Sequence, residues 1–159
     1  VSQQADDFKG IVPVSNQFIF EVDGVQIGVF GEVSGLELQV GVEEYQEGGQ
    51  NGYVHKFPGR ITWPHIVMKS GVTNSDALFQ WVSKSSGDGF AAAGNKLTRC
   101  TGAITAIGTD GKRLRSWEIA DAFPVRWTGP RFSAGSNEPL QEELEIAHHG
   151  FKSHTFSGT

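Results

Sequence analysis

Leu36, Leu38, Val40 and Val42 alternate without a break with Glu37, Gln39, Gly41 and Glu43. A period of two puts the two sets on opposite faces of an extended chain, so the segment reads as a strand with one core face and one wet face. The same period appears where Phe18, Phe20 and Val22 alternate with Ile19 and Glu21, and where Leu140, Leu144 and Ile146 stand against Gln141, Glu143 and Glu145. Asp23-Gly24, before Val25 to Phe30, and Asp110-Gly111, between Leu97–Thr109 and Lys112–Asp121, are strong tight-turn signals. Ile61 to Lys69 is a further strand expectation, interrupted at Pro64, which cannot donate to a ladder and so belongs at an edge or bulge. Two prolines and a glycine punctuate Pro124 to Arg131, leaving Val125 to Trp127 as a short strand or corner, and the last strand runs from Leu140 to His148. The expected fold is mainly β: a small antiparallel β-barrel or sandwich.

One segment breaks the pattern. Leu78, Trp81 and Val82 form an apolar stripe at helical spacing, Thr73 and Asp76 stand at capping-box distance, and Gly87 is a stop signal. A single flanking helix is expected over about residues 74–85. The chain of 159 residues reads as one domain, 1–159, with the polar residues 1–14 as a flexible N-terminal arm. A domain of this size buries roughly 70% of its unfolded surface, enough for a core without staples. The lone Cys100 cannot form an internal bridge. A net charge of −5 argues against a dedicated nucleic-acid binder. Val1 to Lys9 lacks the basic flank and apolar run of a secretory signal, and no stretch reaches the ~18 apolar residues of a membrane span. Synthesis in the cytoplasm without a signal peptide, and no membrane insertion, are the expectations.

The residues that could carry chemistry do not combine. His148 and His149 are adjacent, so on a strand they point to opposite faces, and with His154 they lack a zinc spacing. Cys100 lies in a strand expectation without a helix N-terminus to activate it, which favours a structural thiol. Ser34 does not fit G-x-S-x-G. Gly48, Gly49 and Gly52, like Gly87 and Gly89, lack the helix that a phosphate cradle needs behind it. Glu142 and Glu145 read as a solvated strand face. Trp63, Trp81, Trp117 and Trp127 could line a ligand cavity, although Trp81 is better explained by helix packing. No catalytic residue, metal ligand or cofactor is expected.

The remaining feature is a polar, Gly-rich connection from about residue 43 to 60, containing YQEGGQNGYVHKFPG from Tyr45 to Gly59. It is long for a loop without a core of its own, yet Tyr53, Val54, Phe57 and Pro58 give it apolar anchors. Such a segment reaches for something outside the subunit, and the expectation is that it is mobile until a neighbour orders it.

The order of FIFEVDG from Phe18, EVSGLE from Glu32, the Tyr45–Gly59 segment, KSGVTNSDALFQWV from Lys69, AFPVRW from Ala122 and GSNEPLQEELEIAHHGF from Gly135 resembles the tail tube protein family. That family serves contractile phages, R-type tailocins and extracellular contractile injection systems, and the hemolysin-coregulated tube protein of type VI secretion is a more distant relative. The resemblance covers approximately Asn16 to Phe151 and departs from common members at Trp63-Pro64-His65 and in the longer N-terminus. It implies a structural, non-enzymatic virion or particle component that self-assembles into stacked hexameric rings. Its implied partners are other copies of itself, a sheath protein, baseplate and tube-terminating proteins, and a protein-effector or DNA cargo passing through the lumen without specific contact. It implies that Glu47, Gly48, Gly49, Asn51, Tyr53, His55, Lys56, Phe57 and Pro58 form the inter-subunit loop. Glu37, Gln39 and Glu43, on the wet strand face, become the lumen-facing expectation.

Two other readings compete with the tube subunit: a β-barrel small-ligand binder with a tryptophan-lined cavity, and a β-barrel hydrolase. The failed metal spacing gives a direct check. Elemental analysis of the purified protein is expected to find no stoichiometric zinc; about one zinc per chain, lost in His148→Ala or His149→Ala, would revive the enzyme reading.

Overall fold

The structure, a computed structural model, describes residues 15–49, 52–71, 76–85, 99–135, 137–138 and 140–156. The expectations for residues 1–14 and for Asn51, Thr73, Gly87 and Gly89 therefore lie outside the described residues. The elements are β1 (Ser15–Val22), β2 (Val25–Phe30), β3 (Glu32–Ser34), β4 (Gln39–Tyr45), β5 (His55–Thr62), β6 (Ile66–Gly71), α1 (Ala77–Lys84), β7 (Cys100–Gly108), β8 (Arg113–Thr128), β9 (Gln141–Ala147) and β10 (Phe151–Thr155). Mainly antiparallel β structure with one helix is thus observed, as the sequence led one to expect.

Eight strands form one sheet in the order β2-β1-β7-β8-β9-β6-β3, with β10 also paired to β8. Asp23 and Gly24 both have positive φ, 50° and 81°, and close β1–β2 as a two-residue turn whose twist matches the strands. At Asp110-Gly111 only the glycine has positive φ, 79°, and Gly108 N–H donates to Lys112 O across a wider loop. The long β8 links the two halves of the sheet. Its first part pairs with β7 and β10, and its last part, from Phe123, pairs with β9. The change falls beside Asp121, at φ 53°, where a bulge bends the strand. The segment around Val125–Trp127 is therefore the end of β8 rather than a separate strand. Pro124 is tolerated there because it lies next to a second bulge.

The bend lays one half of the sheet over the other. Phe20, Val22, Ile104 and Ile119 from the first half meet Ile66, Met68, Leu144 and Ile146 from the second in one buried cluster. The sheet is not closed into a barrel. Its two ends are joined by covalent continuity, β2 running through Gly31 into β3, with Gly31 N–H donating to Lys69 O at 3.0 Å in place of a ladder.

Helix α1 covers this core with the expected stripe: Leu78 and Trp81 are buried and Val82 is half-buried. Its N-cap is Asp76, which makes no side-chain capping bond. The Trp81 ring meets Phe20 edge-on at 5.5 Å, and Phe79 meets Trp127 at 5.4 Å. Trp81→Ala would leave a cavity between helix and sheet. A loss of about 3–5 kcal/mol in urea unfolding is expected; an unchanged midpoint would refute this packing role.

Candidate functional site

Among the described residues β4 and β5 pair only with each other, as a separate two-stranded sheet. The long connection is thus mostly a β-hairpin arm, with a tip shortened to Gln46–Val54. The strand begins at Gln39 rather than Leu36, and of the expected core face only Leu36 packs against the core, half-buried. Every residue of β4 is exposed, and Leu38, Val40, Val42 and Ile61 remain 52%, 45%, 61% and 51% exposed. Among the described residues nothing buries the rest of that face.

Register assigns the two faces of the arm. Val40 faces Ile61 and Val42 faces Pro58, so these four share an aliphatic face with Glu44 and Lys56. Gln39 faces Thr62, Glu43 faces Phe57 and Tyr45 faces His55, so these occupy the other face. Near the tip Tyr53, His55 and Phe57 form a ladder of rings, with centroid separations of 5.0 and 6.4 Å. His55 Nε2 approaches Glu47 Oε2 at 3.1 Å across the tip. Glu43 and Phe57, expected respectively at the lumen and at the interface, therefore share one side of the arm. Glu37 is exposed just before β4, while Gly48 and Gly49 form the turn at the tip.

The root of the arm is clamped. Gly35, at φ 85°, lies where an added Cβ would collide with the His65 carbonyl oxygen, so only glycine lets the strand entering the arm approach the strand leaving it. Trp63, Pro64 and His65 link β5 to β6, so Ile61–Lys69 is two strands and not one. His65 Nδ1 meets Glu145 Oε1 at 2.8 Å, and Arg126 Nη2 meets Glu145 Oε2 at 3.0 Å. The His65 hydrogen bond, aided by the Arg126 charge, holds the Glu145 carboxyl below its ordinary range.

His148 completes the clamp from inside. Gly150 N–H donates to its Nδ1 at 3.1 Å, so that nitrogen is bare and Nε2–H donates to Pro64 O at 2.9 Å. The ring is buried between Trp63 and Phe151, with centroids 6.0 Å from each. Burial pushes its pKa below the usual range, outweighing the pull of the Pro64 carbonyl on the proton. The adjacent His149 turns away to Asp121, at 3.1 Å, and Arg99, while His154 is 3.8 Å from Glu118. The three histidines thus have separate tasks, and among the described residues no three metal-ligating side chains converge.

The other chemical expectations resolve in the same way. Cys100 is half-buried at the start of β7, its thiol pushed up by burial and by Asp23. The tryptophans do not share a cavity: Trp63 packs in the clamp, Trp81 under the helix, Trp117 below Arg115 and Trp127 beside Phe79. Sequence reasoning found the arm but missed its clamp. The available signal was Trp63-Pro64-His65, where a proline flanked by two large rings interrupts the strand pattern.

An exposed apolar hairpin on a mainly antiparallel β-sheet with one helix is the architecture of a structural subunit of the tube class. The profile of the family described as T4-like virus tail tube protein gp19 matches residues 14–152, and the chain belongs to this tail tube family. A chain of the PVC sheath-tube complex, an extracellular contractile injection system in its extended state, is 25% identical with a TM-score of 0.75, over 98% of this chain and 99% of that one. A chain of the anti-feeding prophage tube-terminating cap is 26% identical with a TM-score of 0.75, over 98% and 100%. Hcp1 of Salmonella typhimurium shares the fold alone, at 10% identity and a TM-score of 0.51, over 89% and 87%. No curated protein sequence matches.

The clamp has a pH signature. The unfolded chain binds the His148 proton more tightly than the folded one, so stability is full above about pH 6.5 and falls as pH drops through that value toward the lower folded pKa. Glu145, also lowered, adds a loss that begins only as carboxylates protonate. Urea unfolding at pH 7.5 and 5.5 should show wild type weakened at the lower pH and His148→Gln less pH-sensitive; equal pH dependence in both would exclude His148.

Proposed function

We propose that this chain is the inner-tube subunit of a contractile, phage-like particle, forming six-membered rings that stack into a conduit within a sheath. The observation that carries this reading is the β4–β5 arm, folded as a hairpin and apolar on a face that its own subunit leaves uncovered. A monomeric ligand binder gains nothing from such an arm, and the dispersed tryptophans do not build the cavity that reading needs. Membership of a tube family and the full-length likeness to injection-system tubes support the same conclusion.

The root half of the arm packs its aliphatic face, Val40, Val42 and Ile61, on a neighbour within the ring. Glu37, Gln39 and Glu43 turn toward the channel, where acidic and polar groups repel DNA and resist adhesion of protein cargo. The tip half, Glu47 to Pro58, crosses to the adjacent ring. A sheath protein, a baseplate and a tube terminator are the further partners, by analogy with the particles named in the related structures. The subunit carries no catalysis, is made in the cytoplasm and leaves it as part of the particle; among the described residues no helix is long and apolar enough to cross a membrane.

Deletion within Gly48–Gly52, or Phe57→Asp, should leave the subunit folded and stop ring stacking, as seen by circular dichroism and electron microscopy. Full-length tubes from both variants would refute the arm's role. In tubes of Gln39→Cys, a bulky maleimide confined to the outside should label slowly; rapid labelling would remove Gln39 from the lumen.

A further inference from the structure

The arm is joined to the main sheet by two short links, residues 35–38 before β4 and 63–65 after β5, and among the described residues it pairs with no other strand. Its direction is therefore decided at those links. One side chain holds the second link from within: His148, 6% exposed, on the turn between β9 and β10. Its Nε2–H donates to Pro64 O at 2.9 Å, while its Nδ1 accepts from Gly150 N–H at 3.1 Å. Only a neutral ring can do both, because an imidazolium carries a proton on each nitrogen and accepts nothing. A second proton would set Nδ1–H against Gly150 N–H. Gly150 is not free to swing away. Its carbonyl accepts from Ala120 N–H at 2.9 Å, and it lies so close to Trp63 that an added Cβ would stand 3.0 Å from the indole. The ring itself must therefore move, and Pro64 then loses its donor.

We propose that His148 is a proton-operated latch on the β4–β5 arm: neutral, it fixes the direction of the arm; protonated, it frees the second link and lets the arm turn out of the position that assembly needs. The latch is a property of the single subunit, and its consequence for assembly rests on the tube reading above. Two contacts hold the link, His148 with Pro64 on the inside and His65 with Glu145 of β9, at 2.8 Å, on the outside. Losing the first leaves one point about which the link can pivot. The groups around the ring set the pH range. Burial disfavours the cation most, and His65 from the link and His149 beside it in the turn add to that. Both neighbours are engaged elsewhere, His65 with Glu145, which Arg126 of β8 also reaches at 3.0 Å, and His149 with Asp121 of β8 at 3.1 Å. Among the described residues these ion pairs do not extend to His148, so its cation would have no bonded counter-charge. The latch therefore stays closed through neutral pH and opens only below about pH 6.5. The Glu145 carboxyl, kept below its ordinary range by its His65 hydrogen bond, stays ionised as the latch opens, so the outer contact persists.

Spin labels at Lys56→Cys on the arm and Gln26→Cys on β2, both exposed positions, report the direction of the arm in the isolated subunit when Cys100→Ser removes the native thiol. The distribution of inter-label distances should be narrow at pH 7.5 and at least twice as wide at pH 5, with the far-UV circular dichroism unchanged. His148→Gln, which keeps a donor and an acceptor but takes up no proton in this range, should stay narrow throughout. If that variant does not fold, the ring nitrogen resonances of wild-type His148 serve instead: ring protonation and widening should share one midpoint. In parallel, the yield of sedimented tubes should fall at least ten-fold from pH 7.5 to pH 5 in wild type and less than two-fold in His148→Gln. Distances that stay narrow in acid, that widen equally in His148→Gln, or that widen at a midpoint apart from that of the ring would overturn the latch. Loss of the circular dichroism at pH 5 would overturn it too, since the subunit would then unfold rather than open. Widening in a subunit that makes no tubes at pH 7.5 would support the latch and remove the tube reading; tubes that persist at pH 5 with narrow distances would do the reverse.

Discussion

The side chains of Leu38, Val40, Val42 and Ile61 are 45–61% exposed, uncovered by the described part of their own subunit. Completing the burial of a Val, Leu or Ile that is already half covered is worth on the order of 1 kcal/mol. A single arm therefore gains a few kcal/mol by docking, too little to bind firmly alone once the loss of translational and rotational freedom is counted. In the proposed ring each subunit would give an arm and receive one, so closure would add the last contacts without further translational loss and favour assembly as a cooperative whole.

The clamp at the root makes that small gain usable. Gly35 against the His65 backbone, His65 with Glu145, and His148 bonded to Pro64 fix the direction in which the arm leaves the sheet. Pairing of β4 with β5 organises the arm itself before any neighbour arrives. The ordering cost on assembly is therefore confined largely to the tip and to exposed side chains, where a fully mobile connection would have to order every residue. The sequence pointed to a mobile loop from about 43 to 60, but the ladder from Gln39–Thr62 to Tyr45–His55 pairs both of its ends.

Local signals in the sequence were good guides wherever one subunit satisfies them. Asp23-Gly24 became a two-residue turn, the Leu78-Trp81-Val82 stripe became the buried face of the helix, and Phe20, Leu144 and Ile146 are fully buried. Alternation in β4 identified a strand but could not say which molecule covers its apolar face, since a core and an interface require the same pattern. Strand β10 was missed because Lys152, Ser153 and His154 carry no apolar period, their pairing with β8 being dictated by tertiary structure. Pro64 was read as an edge or bulge within one strand and Pro124 as punctuation before a short strand or corner. At Pro64 the chain instead breaks between β5 and β6, whereas at Pro124 a neighbouring bulge lets β8 continue.

Bending of β8 beside Asp121 links these features to one another. Were the strand straight, its last part could not carry β9 and β6 over the core, and the arm, which springs from β6, would have no fixed relation to the first half of the sheet. Folding the sheet over also stops short of closure, so β2 and β10 each keep one side without a strand partner among the described residues. Such edges are a hazard in a monomer, because they invite pairing with any extended chain. In the proposed ring a neighbour's sheet would continue across them and remove that hazard on assembly. On that reading the open sheet and the uncovered arm have one cause, a fold completed by surfaces from other copies of the chain.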